Sequence, residues 1–209
     1  MRIPGLLATM LLLGSLLLLG GVALHPVLPL TASGDLSLIQ ATRHWRAIHL
    51  VLLYATGMII AGVWGRWLVA EGEERPGLAV GFAVLGLGQA LNAVNIAYMT
   101  GAGTLLAQMA DAGEEVTGIY QATHMFAVSC GRLAGFLVAV AAGVIALATR
   151  QRKDEPGWLV WIAATACGVG LLGNLFAPPG HPLMLAAIGV MAVWQVATAG
   201  RMLFGSSTA

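Results

Sequence analysis

Apolar residues gather along the chain into six long stretches separated by mostly short polar connections. They run from about Gly5 to Leu24, Trp45 to Val69, Leu78 to Thr100, His124 to Thr149, Trp158 to Ala177 and Pro182 to Phe204. Each approaches or exceeds the roughly 20 residues a helix needs to cross the hydrocarbon core of a bilayer. The pattern predicts an all-α, polytopic membrane bundle of six transmembrane helices forming a single integral membrane domain over residues 1–209. The first stretch has the ingredients of a signal peptide, with Arg2, an apolar core and Gly21-Val22-Ala23. The expectation is that it is retained as the first span.

Two connections are longer, His25 to His44 and Gly101 to Thr123. In the second, Leu105, Leu106, Met109, Val116, Ile119 and Tyr120 share an apolar face and Asp111, Glu114 and Glu115 an exposed one, as in a short helix lying on the membrane surface. In the first, Ser33-Gly34-Asp35 offers a helix N-cap before Leu36, Leu38 and Ile39. Such segments are placed to roof a cavity between the spans. Gly57, Ala61 and Gly65 in the second span, Gly81, Gly86 and Gly88 in the third, and Ala164, Gly168 and Gly170 in the fifth supply small residues for close helix packing. A faint repeat, Gln40-Ala41-Thr42-Arg43-His44 and Gln121-Ala122-Thr123-His124, precedes spans two and four.

Composition closes off the soluble alternatives. Of 209 residues, 58% are hydrophobic and 9% charged, with a mean hydropathy of +0.86, against about 25% charged in a soluble domain. A net charge of +1 provides no basic field for nucleic acid. Cys130 and Cys167 lie inside apolar runs, which argues against a disulfide framework or a CxxC motif.

Charge placement predicts orientation. With both termini cytoplasmic, the inner side holds Arg2, Arg66, Arg75, Arg150, Arg152, Lys153 and Arg201, and the outer side only Arg43 and Arg46. This reading places the chain as a multi-pass protein, by expectation in a bacterial cytoplasmic (inner) membrane. It also puts His25, His44, His49, His124 and His181 at the outer boundary, with the amides Asn92, Asn95 and Asn174 in the outer halves of spans three and five. A functional site therefore faces outward.

Candidate chemistry starts with those histidines. Neutral imidazole ligates transition metals and haem. His49 and His124, at similar depth on helices running the same way, are candidate axial ligands of a b-type haem or ligands of a metal. His44 and His181 are further metal candidates. His44 and His49, five residues apart, point about 140° apart on a helix, so at most one faces the centre. Arg132 lies two turns below His124, about 12 Å. A charge at that depth is costly and usually paired. No span contains Asp or Glu, so its partner is a loop carboxylate, helix carbonyls, a lipid headgroup or an anionic ligand such as a haem propionate. Gln89, Asn92 and Asn95 form a polar stripe able to glue helices or to line a cavity with Asn174 and Gln195. Met99, Met109, Met125 and Met184 lie at similar heights and, with histidines, suit copper.

The layout also resembles rhomboid intramembrane proteases, with six spans, Trp45-Arg46 in the first outer loop, His49 in span two, Ser129 near the start of span four and His181 at span six. The resemblance implies a serine hydrolase in which His181 activates Ser129. The chain departs from that family's GxSG motif, reading Val128-Ser129-Cys130-Gly131, and has Gly180-His181-Pro182 at the entrance of the last helix. His49 and His124 are placed similarly to the haem-holding histidines in one half of haem A synthase, whose glutamate motif is missing here.

The leading expectation is a b-type haem or metal-binding protein of membrane electron transfer. His49 and His124 are its ligands, Arg132 balances an anionic group, and Asn92 and Asn95 supply outer hydrogen bonds. The alternatives are a non-redox binding or transport protein for an anionic or amphipathic small molecule, a structural subunit of a membrane complex, and the Ser129–His181 hydrolase.

Overall fold

The computed structural model describes residues 3–28, 31–69, 75–152, 155–178 and 181–204, which form eight helices. They are α1 (Ile3–Leu24), α2 (Ala32–Ala41), α3 (Trp45–Val69), α4 (Arg75–Thr100), α5 (Ala102–Asp111), α6 (Thr117–Thr149), α7 (Gly157–Phe176) and α8 (Pro182–Phe204). The six segments long and apolar enough to cross a membrane fall on α1, α3, α4, α6, α7 and α8, the third running on through α5. The predicted spans are therefore present, in a multi-pass all-helical architecture. Arg2 and Lys153 of the charge argument lie outside the described residues, as do the side chains of Arg66 and Arg75.

The six spans close into a ring. Contacts join α1 to α3, α3 to α4, α4 to α6, α6 to α7, α7 to α8 and α8 back to α1. Successive spans cross in alternating directions around this ring, so neighbours run antiparallel and one end of the ring carries both chain termini. The other carries α2 and α5. These two short helices pack on each other and form a roof with Leu36, Ile39, Leu106 and Ala107 buried against Trp45, Met99, Val116 and Tyr120. Trp45 Nε1 donates to the Met99 carbonyl at 3.1 Å, and Gln40 Nε2 donates to the Ala107 carbonyl. The first adds to the Thr104 hydroxyl on the carbonyl near the end of α4, and the second ties α2 to α5. At the opposite end the ring interior is filled by Leu11, Val63, Phe82, Leu85, Ile145 and Trp194.

Three expectations change. The fourth span begins at Thr117, so His124 sits two turns inside α6 rather than at its start. The surface segment divides into α5 and the first turns of α6, with Leu106, Val116 and Tyr120 buried but Leu105 and Ile119 exposed; Asp111, Glu114 and Glu115 are exposed as expected. In the first connection the N-cap is Thr31, and Asp35 lies in the first turn of α2 and is buried.

Close packing uses glycine, though not always at the positions foreseen. A Cβ on Gly57 would meet nothing, and Gly65 lies outside the residues whose surroundings are described. The α1–α3 approach runs through Gly14, against the Ala55 carbonyl, and Gly62, against Leu11. Between α4 and α6, Gly81 and Gly88 do serve, while Gly86 faces open space. Between α6 and α7, Gly170 abuts Ala139, whereas Gly168 has no neighbour. The two copies of the faint repeat are not structurally equivalent. The first spans the end of α2 and its exit loop, and the second lies wholly within α6.

Candidate functional site

A cavity of about 360 Å³ opens within the ring below the roof, a volume within the range of small-molecule sites. All five residues expected around a cofactor line it: His49, Asn92, Asn95, His124 and Arg132. Gln89, Asn174 and Gln195 complete the polar wall, as the amide stripe suggested. His44 and His181, the other two metal candidates, are exposed and do not line it. Among the described residues no group of three or more His, Cys, Asp or Glu side chains is placed to hold a metal ion. The four-histidine metal set is therefore not assembled: His44 points outward at the start of α3, and His181 Nδ1 accepts the Leu183 N–H at 3.1 Å at the start of α8.

The amides are seated by glycines one turn apart on α6. A Cβ on Gly131 would lie 2.9 Å from Asn95 Nδ2, and one on Gly135 would collide with the Asn174 side chain. Asn174 Nδ2 also donates to the Gly170 carbonyl at 2.8 Å, and Asn92 Nδ2 donates to Thr56 Oγ1 at 3.4 Å. Gln195 Oε1 accepts from Ser15 Oγ at 3.2 Å, linking α1 to α8. Gln89 is 3% exposed, and its Oε1 has no hydrogen-bond partner among the described residues, a costly state for a buried acceptor.

Arg132 finds one of its foreseen partners, a helix carbonyl. Its Nε and Nη2 donate to the Asn174 carbonyl at 3.1 and 2.8 Å. In a continuing helix that carbonyl would accept from residue 178, but Pro178 has no N–H. The guanidinium thus caps the end of α7 with one edge. No carboxylate pairs with it among the described residues, and the residues lining the cavity include no Asp or Glu.

Two further residues organise the histidines, and neither was foreseen in that role. Asp35 Oδ2 lies 3.3 Å from His124 Nδ1 and accepts from Tyr120 Oη at 3.5 Å. The His124 ring stacks nearly parallel to Tyr98, with centroids 6.3 Å apart, and packs at 4.9 Å against Tyr120. The His25 ring stands beside Trp45 and His49, its Nδ1 donating to the Pro26 carbonyl at 2.6 Å. Burial lowers the His25 pKa below the usual histidine value, and the Pro26 bond offsets part of that shift. His49 Nδ1 donates to the Trp45 carbonyl at 2.8 Å, leaving Nε2 directed at His25 Nε2, 3.2 Å away. The signal for His25 in the sequence was only its place at the same boundary as the others. For Asp35 there was none beyond its position before an apolar run.

Among the described residues no hydrogen bond joins Ser129 to His181. Ser129 is exposed, and its Oγ donates to its own helix at the Met125 carbonyl, 2.8 Å away. Comparison of the chain with protein-family models, with curated proteins and with solved structures finds no match.

Proposed function

We propose that the protein is a membrane-embedded binding protein for an amphipathic anion drawn from the bilayer. Arg132 carries the reading: a guanidinium on the wall of a cavity whose lining residues include no carboxylate, with only one edge committed to a helix carbonyl. A charge within a membrane domain is costly without a partner, and an anionic head group supplies one. Gln89 Oε1 awaits a donor on the same wall, and a hydroxyl on the head group meets that need.

The remaining wall is apolar, including Leu18, Val22, Leu52, Ile188 and Met191, and suits an acyl or isoprenoid chain. Access supports the same source. Of the described residues lining the cavity, Val27 and Leu185 alone are exposed, at 68% and 49%. They sit beside the ends of α1 and α8, so the exposed rim among the described residues is apolar, as entry of a lipid-borne ligand requires. The excess of Arg and Lys at the end away from the roof favours that end as cytoplasmic, which turns the cavity to the outer leaflet.

The test is binding of oleate and of lysophosphatidate to the detergent-purified, delipidated chain. Wild type is expected to bind one of them saturably, Arg132→Gln at least about 10-fold more weakly, and Leu185→Trp with a slower on-rate. Equal affinity of wild type and R132Q for both probes would sink the reading.

A b-type haem of electron transfer is the second reading. It is favoured by one observation: His49 and His124 each have Nδ1 engaged by an oxygen, the arrangement that presents Nε2 to a metal. It ranks second because His25 occupies the approach to His49 Nε2. A Soret band in the purified protein, abolished by H49A and H124A, would reverse that order.

A further inference from the structure

The geometry points to a two-histidine metal site for copper(I), held by Nε2 of His25 and Nε2 of His49 at the wall of the cavity. It is independent of the amphipathic ligand proposed above.

Carbonyl oxygens accept hydrogen bonds and never donate them. His25 Nδ1 lies 2.6 Å from the Pro26 carbonyl and His49 Nδ1 lies 2.8 Å from the Trp45 carbonyl, so both Nδ1 atoms carry the proton. In the neutral rings both Nε2 atoms then bear lone pairs, and those lone pairs face each other across 3.2 Å. Two acceptors do not hold this approach by themselves. It becomes favourable when an electrophile lies between them.

The spacing suits a metal ion. At a metal–nitrogen distance of about 2.0–2.1 Å, nitrogens 3.2 Å apart subtend an angle of about 100°, as expected for neighbouring positions in a tetrahedral or trigonal set. The two backbone carbonyls serve as the outer partners that fix tautomer and ring orientation in histidine metal sites. His49 is 2% exposed, and Trp45 packs against both rings, so the pair is built rather than incidental.

The surroundings select the ion. Among the described residues the cavity wall holds no thiolate or carboxylate, but it includes the thioethers of Met99 and Met184. Asp35 is engaged by His124 and Tyr120. Neutral imidazole and thioether ligands suit copper(I), whereas a divalent ion here would have no anionic ligand to offset its charge. Arg132 on the same wall adds to that penalty.

The experiment is anaerobic titration of the full-length, detergent-purified chain with copper(I) against a chromophoric copper(I) chelator, with zinc(II) titrated in parallel. One copper(I) per chain is expected, bound in preference to zinc. In His25→Gln and His49→Gln the affinity should drop beyond the roughly 10–100-fold typical of losing an outer-shell partner. In H44Q and H181Q it should be unchanged. Because His25 lies outside every helix, H25Q carries the test even if H49Q aggregates. X-ray absorption of the loaded protein should show nitrogen and sulfur neighbours. No chelator-resistant copper, an H25Q affinity equal to wild type, or preference for zinc would each overturn the assignment.

Discussion

Asp35 in the roof and His124 in the ring meet at 3.3 Å through Oδ2 and Nδ1, tying the short helix α2 to the long helix α6. Asp35 is 2% exposed and His124 8%, so the contact is formed away from water. Tyr120, one turn before His124, closes the same group and is fully buried. The roof is thereby held over the cavity by a polar contact as well as by its apolar face.

Removing that carboxylate should loosen the roof. Asp35→Ala leaves His124 Nδ1 and Tyr120 Oη short of an acceptor, a loss of about 1–3 kcal/mol for buried polar groups. Asp35→Asn, which keeps an acceptor oxygen, should lose less. Thermal melts in detergent measure the stability, and limited proteolysis within α2 and α5 reports the roof. Identical cleavage of wild type and D35A would show that the roof does not depend on this contact.

Glycine contacts give a paired prediction. Gly62→Ala would drive a methyl into Leu11, whereas Gly57→Ala faces open space. The first should destabilise by about 1–3 kcal/mol, the usual cost of overpacking. The second should stay within about 0.5 kcal/mol, as for a surface substitution. Melting temperatures that rank the two in the opposite order would contradict the α1–α3 packing described.

The cap on α7 separates the structural role of Arg132 from its role toward a ligand. R132Q strips the Asn174 carbonyl of its two donors and should cost stability. Pro178→Ala restores a backbone N–H at the position from which a helix would satisfy that carbonyl. The double variant should recover part of the lost melting temperature and none of the anion binding. Recovery of both together would mean that Arg132 acts only as a cap.

Acid should weaken the fold through His25. Its folded pKa lies below the unfolded value because burial disfavours the imidazolium, so the unfolded chain takes up the proton first as pH falls. Stability should therefore decline once pH drops below about 6.5, the unperturbed histidine value, until the lower folded pKa is passed. The expected result is a lower melting temperature at pH 5 than at pH 7.5, with a smaller difference in H25Q. An unchanged pH dependence in that variant would remove His25 as its source.

The six spans were legible because a bilayer leaves little choice. With no water to satisfy backbone groups, a long apolar run must be helical, so apolar length alone located α1, α3, α4, α6, α7 and α8 to within a few residues, except the start of α6. The same logic placed His49, His124, Arg132, Asn92 and Asn95 at one end of the molecule. All five do line one cavity.

Depth along a helix is written in the sequence, but direction around it is not. Only the closing of the ring put His44 outside and His49 inside, or gave Asn95 and Asn174 their places against Gly131 and Gly135. The short segments were harder still, because a ten-residue amphipathic helix takes its exposure from what it packs on. Asp35 reads as a loop carboxylate until α2 folds over α6 and buries it against His124. The pairing of His25 with His49 likewise depends on how the chain leaves α1 and turns at Pro26. Membrane solvation determined the six spans; helix packing and the folding of the roof decided which polar groups meet.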